Sequence, residues 1–390
     1  MPLRFLTAGE SHGPALVAIL EGIPAGLELS TEIIDAELAR RQQGYGAGPR
    51  MKLEQDKVHI LAGVMEGLTI GAPLAMLIEN LDHEKWKGRP VAPFTTPRPG
   101  HVDLAGLVKY GYSDIRPALE RASARETAAR VAVGAVCKHL LVQFGITLGG
   151  YVLSIGEVSA DLNEIPYLER FRLAEASDVR CPDVQAAEAI RQAIHQVMLD
   201  RDTLGGILEV VVLGLPVGLG SHVHWDRRLE GRLGAAVLSI PAVKGVEIGP
   251  AFENTRLLGT HVHDAIRLEN ERLIRPTDRS GGTEGGITTG QPLVLRAAMK
   301  PIATTLAPQQ SVDLATGQET PTNYERSDFC PVPRTVPIVE AVIAFVLADA
   351  LLEKVGGDSL AEIMPRVAAL RQPRLPDLNV TKGDHLFWPE

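Results

Sequence analysis

The segment Arg121-Ala-Ser-Ala-Arg-Glu-Thr127 constrains the fold most, because it joins a helix-start signal to an apolar run. Ser123 and Glu126 have the spacing of a capping box, in which each side chain accepts a free backbone N–H at the helix start. Most residues from Ala128 to Val136 are small or apolar, so protein must surround this helix on nearly every side. The sequence predicts a buried helix over about residues 124–143.

Arginines surround the start of this predicted helix. Arg121, Arg125 and Arg130 place positive charge where the helix dipole disfavours it, whereas an anion would meet both the arginines and the free N–H groups. For one arginine, pairing with a carboxylate such as Glu120 or Glu126 is the simpler explanation. Three arginines around one helix start favour an anion-binding site.

The composition indicates the class of protein that contains this site. The 390 residues are 45% hydrophobic and 22% charged, as in soluble globular proteins. A net charge of -9 and an aromatic content of 4% argue against nucleic-acid binding, so a polyanionic ligand needs a local basic pocket. Three widely spaced cysteines (Cys137, Cys181 and Cys330) predict a reducing compartment. We find no signal peptide and no apolar run long enough to span a bilayer, which predicts a cytoplasmic protein without membrane contact.

Two glycine-rich stretches near the amino terminus could contact a ligand. Residues 9–15 place Ser11 and His12 between glycines, but they lack the spacing of a nucleophile elbow, so we reject a hydrolase on this motif. Residues 44–52 form a basic, glycine-rich loop. That loop lacks Gly-Lys-Ser/Thr and is therefore not a nucleotide P-loop.

Further along the chain, irregular segments again combine glycine or proline with polar residues. A long loop over residues 80–100 is typical of a functional loop, and it ends in Arg98-Pro-Gly-His101, where a fixed backbone can aim the histidine. Residues 279–286 are glycine-rich and suit either ligand contact or flexibility. Residues 299–305 offer one cation and two hydroxyls for a phosphate.

The remaining periodicity predicts a mixed α and β protein. We expect strands near residues 3–8, 17–20, 57–78, 149–158, 207–213 and 291–298, and further helices over about 32–43, 183–200 and 336–354. The polar, acidic stretch before residue 184 is interpreted as a surface excursion.

Two short sequence markers occur twice in the same order. Residues 22–27 are restated at 214–219, and residues 67–74 are restated at 286–293. This repetition predicts an ancient duplication. The second copy holds about 27 more residues between its markers, and we place the insertion at 252–285 as an added ligand loop.

Two His-x-His pairs raise a metal hypothesis. If His222 and His224, or His261 and His263, lay on a strand, each pair would share a face and could bind zinc or iron. Each pair has only one aspartate nearby. Solvent-facing histidines are therefore favoured, and we predict no metal site.

Together, the motifs resemble those of the chorismate synthase family over nearly the whole chain. Three signature regions are present at residues 9–15, 121–131 and 326–334, and the segments 98–101 and 281–286 also fit. The resemblance implies an α+β fold, a β-α-β sandwich of two duplicated halves with sheets inside and helices outside. It implies one catalytic domain over residues 1–390, with halves of roughly 1–200 and 201–365, assembled as a homotetramer.

The resemblance also implies a reaction. It is the conversion of 5-enolpyruvylshikimate 3-phosphate to chorismate and phosphate, a 1,4-anti elimination by a lyase of aromatic amino acid biosynthesis that requires reduced FMN (FMNH2). Some members of the family reduce the flavin themselves with NADPH, and others depend on a separate flavin reductase.

By the same resemblance, individual residues receive roles. His12 is the acid that protonates the departing phosphate, His101 maintains the protonation state of the reduced flavin, and Asp328 shuttles a proton beside it. Substrate binding falls to Ser11, Arg41, Arg50, Arg125 and Arg334. FMN binding falls to Arg121, Ala122, Ser123, Pro241, Ala242, Gly285, Lys300, Pro301, Ile302, Ala303, Thr304 and Arg326.

Two positions depart from the family pattern, and two other functions stay open. Ala47 stands where an arginine is usual, and Pro241 stands where asparagine or glutamine usually begins a turn. One alternative is a non-catalytic flavin-binding or anion-binding protein, although retention of His12, His101 and Asp328 argues against it. The other is a metal hydrolase built on the His-x-His pairs.

Overall fold

The computed structural model describes residues 2–47, 55–325, 327–385 and 387, and it has the α+β class that the sequence predicts. The first part contains, in chain order, β1 (Arg4–Ala8), β2 (Ala15–Glu21), α1 (Thr31–Gln42), β3 (Val58–Ala62), β4 (Val64–Met65), β5 (Leu68–Thr69), β6 (Leu74–Glu79), α2 (Asp103–Tyr110), α3 (Arg116–Ala122) and α4 (Thr127–Val142). The rest contains β7 (Thr147–Ile155), β8 (Val158–Ser159), α5 (Tyr167–Ala176), α6 (Val184–Leu199), β9 (Gly206–Leu213), α7 (Leu229–Leu238), β10 (Val243–Ile248), α8 (Ala251–Asn254), α9 (Gly259–Val262), β11 (Arg267–Glu269), β12 (Arg272–Ile274), β13 (Thr283–Glu284), β14 (Ile287–Thr288), β15 (Leu293–Met299), β16 (Gln310–Asp313), β17 (Gln318–Pro321), α10 (Val332–Val355) and α11 (Leu360–Ala368).

The main strands form two antiparallel sheets. Their orders are β1-β2-β6-β3 in the first sheet and β10-β15-β9-β7-β8 in the second. In β2, Leu16, Ala18 and Leu20 are buried while Ile19 is exposed, so only one face of the first sheet is fully packed. Residues 208–212 of β9 are all buried, which shows that the second sheet is covered on both faces.

Helices, not sheets, form the central layer. Helix α4 packs on β2 and β6, α10 packs on β7 and β9, and the two helices pack on each other. A Cβ at Gly134 would lie 2.2 Å from Cβ of Ala341, so the small residues of α4 permit this close approach. The predicted order with sheets inside and helices outside is therefore wrong. A helix that is apolar on all sides is enclosed best between two sheets.

The stretch before residue 184 is more ordered than predicted. It contains α5, which packs on β7. A Cβ at Gly149 would meet the ring of Phe171 in α5, whereas one at Gly150 would meet Val336 of α10. Adjacent residues of β7 thus contact different helices on opposite faces. The interpretation as a surface excursion was wrong, because polar residues on the outer side of α5 hide its packed side.

Helix α10 begins earlier and is more apolar than predicted. Pro333 occupies its first turn, while Pro337 lies inside the helix. By length and composition α10 could span a membrane, contrary to our expectation that no such run exists, but 89% of its apolar window is buried inside the protein. It is the one helix of this kind among the described residues.

The repeated markers adopt the same local structure. In each copy a threonine hydroxyl donates to a proline carbonyl at 2.7 Å and accepts a leucine N–H at 2.9 Å. The residues are Thr69, Pro24 and Leu27 in one copy, and Thr288, Pro216 and Leu219 in the other. The equivalent strands also follow one order, with β7, β9, β15 and β10 matching β1, β2, β6 and β3.

The strands do not divide between the two sheets at residue 200, where we placed the boundary between the halves. Strand β7 precedes that point and pairs with β9 beyond it, so the boundary between the sheets lies between α4 and β7. The segment 252–285, where we placed the insertion, contains α9, the hairpin β11–β12 and β13, together with most of α8. It follows β10 at the edge of the second sheet.

Candidate functional site

A cavity of about 760 Å³ lies where α4 and α10 begin. Its volume is within the usual range of small-molecule sites, about 300–1,000 Å³. The walls come from the segments after β1, β6 and β15, from the ends of α1 and α7, and from the starts of the two central helices. Equivalent segments of the two sheets therefore meet at one cavity.

Most of the predicted site residues line this cavity. They are Ser11, His12, Arg41, His101, Arg121, Ala122, Ser123, Arg125, Pro241, Ala242, Lys300, Ile302, Ala303, Thr304, Asp328 and Arg334. Pro301 instead lines a neighbouring cleft of about 430 Å³. Gly285 lies in the turn between β13 and β14, outside the cavity wall. Arg50 and Arg326 fall outside the described residues.

The start of the central helix differs from a capping box. A short 3-10 turn over residues 124–126 precedes α4, and the Ser123 hydroxyl accepts the N–H of Arg125 at 3.3 Å. The Glu126 carboxylate does not reach back to Ser123. It accepts Thr7 Oγ1 at 2.6 Å and Arg130 Nε at 2.9 Å. Glu126 thus holds Arg130 beside the cavity, as the simpler explanation for a single arginine expects.

Two of the predicted substrate arginines share one buried carboxylate. Asp56 Oδ1 accepts Arg125 NH1, and its Oδ2 lies 3.3 Å from Arg41 NH1. The Asp56 side chain has no exposure, and Arg125 Nε also donates to Asn80 Oδ1 at 2.8 Å. Burial lowers the pKa of Arg41, nearby Arg334 and Arg125 add to the decrease, and Asp56 opposes it, which together leave the pKa at about 9. Asp56 therefore fixes two guanidinium groups that point into the cavity.

The third arginine is paired with the predicted catalytic aspartate. Arg334 NH1 donates to Asp328 Oδ2, and its Nε donates to the backbone carbonyl of Arg41 at 3.2 Å. Both side chains are mostly buried. Arg41, Arg125 and Arg334 thus form one connected cluster at the junction of α1, α4 and α10.

The cavity wall is strongly cationic although the whole chain is acidic. Among the residues that the structure describes, three in the wall are acidic: Glu126, Glu325 and Asp328. Seven of the described wall residues are cationic, a surplus of four: Arg41, Arg98, Arg121, Arg125, Arg130, Lys300 and Arg334. Within a chain of net charge -9, this is the local basic pocket that the composition requires.

Two of these cations donate hydrogen bonds to oxygens that carry no charge. Arg121 donates to the carbonyls of Thr7 at 3.0 Å and Gly9 at 3.1 Å. Lys300 Nζ donates to the carbonyl of Gly100 at 2.9 Å. In the part of the chain that the structure describes, neither forms an ion pair with a carboxylate. Their charge can therefore meet a bound anion.

His12 lies between a carboxylate and an aromatic ring. Its Nδ1 is 2.7 Å from Glu120 Oε1, and its backbone N–H donates to Glu120 Oε2 at 2.8 Å. The ring of Trp86 lies 4.5 Å from that of His12, centroid to centroid. Burial alone would raise the pKa of Glu120, but its bonds with His12 outweigh this and lower it. Within the described residues, Glu120 therefore pairs with His12 and not with Arg121, Arg125 or Arg130.

His101 is held by a second carboxylate. Its Nδ1 contacts Asp103 Oδ1, and the same carboxylate accepts Arg98 Nε at 2.8 Å. Arg98 NH1 donates to Thr304 Oγ1 at 2.9 Å. The long loop over residues 80–100 therefore contributes Trp86, Arg98 and Gly100 to the cavity wall.

Sequence reasoning missed four residues of this site: Asp56, Trp86, Asp103 and Glu120. Asp103 had a usable signal, because it follows His101 by two residues where a helix begins. The other three are joined to their partners by the fold alone.

The His-x-His pairs do not form a site. His222 and His224 lie in a loop, and His261 is in α9, so neither pair lies on a strand. Within residues 2–47, 55–325, 327–385 and 387, no group of three or more His, Cys, Asp or Glu side chains could hold a metal ion.

Comparison with known proteins gives a consistent result. The family model described as chorismate synthase matches residues 3–352. The chorismate synthase of Trichlorobacter lovleyi is 52% identical over 378 residues, covering 93% of this chain and 96% of that protein. The enzyme of Aquifex aeolicus is 51% identical over 382 residues, covering 93% and 96%. A crystal structure of chorismate synthase superposes with a TM-score of 0.77 at 44% identity, covering 94% of this chain and 97% of the other.

Proposed function

Because the chain belongs to the chorismate synthase family, we propose that it converts 5-enolpyruvylshikimate 3-phosphate to chorismate and phosphate. The reaction is a 1,4-anti elimination that requires reduced FMN, and the enzyme is a carbon–oxygen lyase of the shikimate pathway. The observation that carries this proposal is the cationic cavity, which places three buried arginines in one space with His12 and His101.

The substrate's charges suit the arginine cluster. The molecule has two carboxylates and one phosphate, and guanidinium forks match the geometry of such anions. Arg41 and Arg125 are already held by Asp56, and Arg334 by Asp328. The arginines are therefore positioned before a ligand arrives, which reduces the entropy cost of binding. Ser11, which accepts a hydrogen bond from Ser123 at 3.1 Å, completes our proposed substrate contacts.

Other residues of the same cavity wall fit FMN. Arg121 and Lys300 offer positive charge to its phosphate, and Val102, Ile240 and Ile302 give the wall an apolar surface for a ring system. The other proposed contacts in the cavity wall are Ala122, Ser123, Pro241, Ala242, Ala303 and Thr304. When bound, reduced FMN supplies the electron density that assists departure of the phosphate.

The titratable side chains carry the proton steps of the proposal. His12 donates a proton from its ring to the departing phosphate, with Glu120 and Trp86 fixing the ring. His101 exchanges a proton beside the cofactor and so maintains the protonation state of the reduced flavin. The Asp328 carboxylate shuttles a proton in the same place by accepting it and then releasing it. An imidazole suits these steps near neutral pH, since its ordinary pKa is about 6.5.

The assembly and the source of electrons belong to the same proposal. We propose a cytoplasmic homotetramer. NADPH bound to the enzyme, or a separate flavin reductase, provides the reduced cofactor.

The decisive experiment is anaerobic turnover of 5-enolpyruvylshikimate 3-phosphate with chemically reduced FMN and without NADPH. We expect one phosphate released per chorismate formed, and no release when FMN is omitted. A matched control is His195→Ala, because His195 is exposed on α6 and does not line the cavity. Absence of release by a folded protein that binds both ligands would favour the non-catalytic alternative. Supplying NADPH with oxidised FMN then tests self-reduction.

A further inference from the structure

We propose that Asp103 is the positioning residue that fixes the tautomer of His101, so that the proton of the neutral ring sits on Nδ1. The catalytic consequence rests on the proposed function, but the tautomer is a property of the protein without ligands. Asp103 is the first residue of α2, two positions after the histidine, and its side chain has no exposure.

The first step is the rigidity of the loop that joins the two residues. Arg98 donates to Asp103 Oδ2 from its backbone N–H at 3.0 Å and from Nε at 2.8 Å, and to Oδ1 from NH2 at 3.0 Å. Gly100 adopts a left-handed φ of 73°, which a residue with a Cβ rarely adopts. The arginine, the turn and the aspartate therefore close a loop around the histidine.

The second step is the charge of the carboxylate. Burial by itself would raise the pKa of Asp103, but the bonds from His101 and Arg98 outweigh burial and hold the pKa well below its usual range. An ionised carboxylate can only accept hydrogen bonds. Its Oδ1 contacts His101 Nδ1, so that nitrogen must carry the proton.

The third step concerns the arginine beside the ring. Arg98 NH2 lies 3.0 Å from His101 Nδ1, and a guanidinium can only donate. Nδ1 cannot donate a proton to Asp103 and at the same time accept one from Arg98. Because Arg98 NH2 also reaches Asp103 Oδ1, both N–H groups can point at that oxygen. In the neutral ring, Nε2 is then the acceptor.

The fourth step links this loop to the proposed cofactor segment. Arg98 NH1 donates to Thr304 Oγ1 at 2.9 Å, and Lys300 Nζ donates to the Gly100 carbonyl at 2.9 Å. The loop and residues 300–304 are thus tied at two points. Asp103 sets the direction of the histidine relative to the segment that we assign to FMN binding.

The direct test is the tautomer of His101 in the unsubstituted protein. Proton–nitrogen correlation spectra of protein labelled with ¹⁵N-histidine, recorded at pH 8.5 without ligands, distinguish the two neutral tautomers. The His101 signal is assigned by its loss in His101→Ala. We expect the proton on Nδ1. A proton on Nε2 would overturn the proposal, whether or not any variant folds.

The substitution Asp103→Asn tests the cause. The amide oxygen must face the two Arg98 donors that now meet Oδ2, which turns the amide NH2 toward His101. The ring must then accept at Nδ1 and carry its proton on Nε2. Asp183→Asn is the matched control, because Asp183 also accepts N–H groups at a helix start, that of α6, away from the cavity. An unchanged His101 tautomer in Asp103→Asn would refute the proposal.

The kinetic test separates positioning from general stability. We expect Asp103→Asn to lower kcat on the order of 10³-fold, with KM within about threefold and a changed pH profile; a comparable change in a serine protease triad costs about 10⁴-fold. In a His101→Ala background, Asp103→Asn should lower kcat no further, since the residue acts through the histidine. A further loss there would show a merely structural role. If the unsubstituted protein releases no phosphate, the proposed function fails, and the tautomer measurement still decides this inference.

Discussion

The two histidines of the cavity are held in the same way but in different electrostatic settings. Each ring contacts a carboxylate through Nδ1, Glu120 for His12 and Asp103 for His101. Asp103 also receives three hydrogen bonds from Arg98, whereas within the described part of the chain the Glu120 carboxylate is hydrogen-bonded to His12 alone. Asp103 is therefore part of a charged loop that Arg98 closes, while Glu120 contacts its histidine without an arginine partner.

The largest expected effect is the loss of kcat when either histidine is removed. His12→Ala and His101→Ala should each fold and bind both ligands, and each should lower kcat by about 10²–10⁴-fold, the usual size of general acid–base catalysis. Phosphate release with reduced FMN measures this. Turnover near the unsubstituted rate in His101→Ala would remove that residue from the mechanism and end the comparison.

The next effect distinguishes the closed loop from the dedicated pair by stability. Arg98→Met removes two side-chain hydrogen bonds and the guanidinium charge from the buried Asp103 carboxylate, which keeps its contacts with His101 and the backbone N–H of residue 98. The lost ion pair should cost about 3–5 kcal/mol of the free energy of unfolding. Arg116→Met is the control, since Arg116 acts on Glu120 only through longer-range charge, and should cost less than about 1 kcal/mol. Urea unfolding measures both. Equal losses would show that the two settings do not differ.

Glu120→Gln should have a smaller effect than either histidine substitution. The amide can still contact the ring and the backbone N–H of His12, so the fold should persist, but the charge that fixes the ring is lost. We expect kcat to fall by about 10-fold to 10²-fold, in the range of lost supporting contacts. Kinetics at several pH values measure this. A rate unchanged at every pH would show that Glu120 is a structural residue.

The smallest effect is the response of stability to acid. Asp103 and Glu120 both have lowered pKa values in the folded protein, so their stabilisation is present above the unfolded values of about 3.9 and 4.3 and is lost as pH falls through the folded ones. Below about pH 5, the free energy of unfolding should therefore fall less steeply with decreasing pH in Asp103→Asn than in Glu120→Gln. Unfolding free energies from about pH 6 to about pH 2 measure this, because the contribution of Asp103 is lost mainly below its unfolded pKa of about 3.9. The opposite order would contradict the prediction.

The parts of the fold that depend on local pattern could be predicted. The helix after Arg121 and the strands near it were recognised from small and apolar residues, and the repeated markers led to the equivalent turns at Thr69 and Thr288. The order of layers was not predictable in this way. Periodicity shows that α4 is enclosed but does not show which element covers each side. Helix α5 was missed because four charged residues alternate with its apolar ones.

In the candidate site, the basic residues could be predicted from the sequence but their acidic partners could not. The arginines and histidines stood out because cations near an apolar helix and a histidine after Pro-Gly need an explanation. Their acidic partners did not stand out. Asp56 meets Arg125 across 69 positions of the chain, and Glu120 meets His12 across 108, so these pairs exist only after the sheets and central helices have packed. The predicted capping box does not form for the same reason. Thr7, on the distant strand β1, donates a hydrogen bond to the Glu126 carboxylate instead.

The meeting of both sheets at one cavity has a mechanical consequence. The wall includes the starts of α4 and α10, together with the segments after β6 and β15. A molecule bound there bridges the two parts of the chain and acts as a non-covalent crosslink between them. By mass action, a ligand at 100 times its Kd adds about 2.7 kcal/mol to the stability of the folded state. The resting enzyme and the loaded enzyme should therefore differ in heat resistance as well as in occupancy.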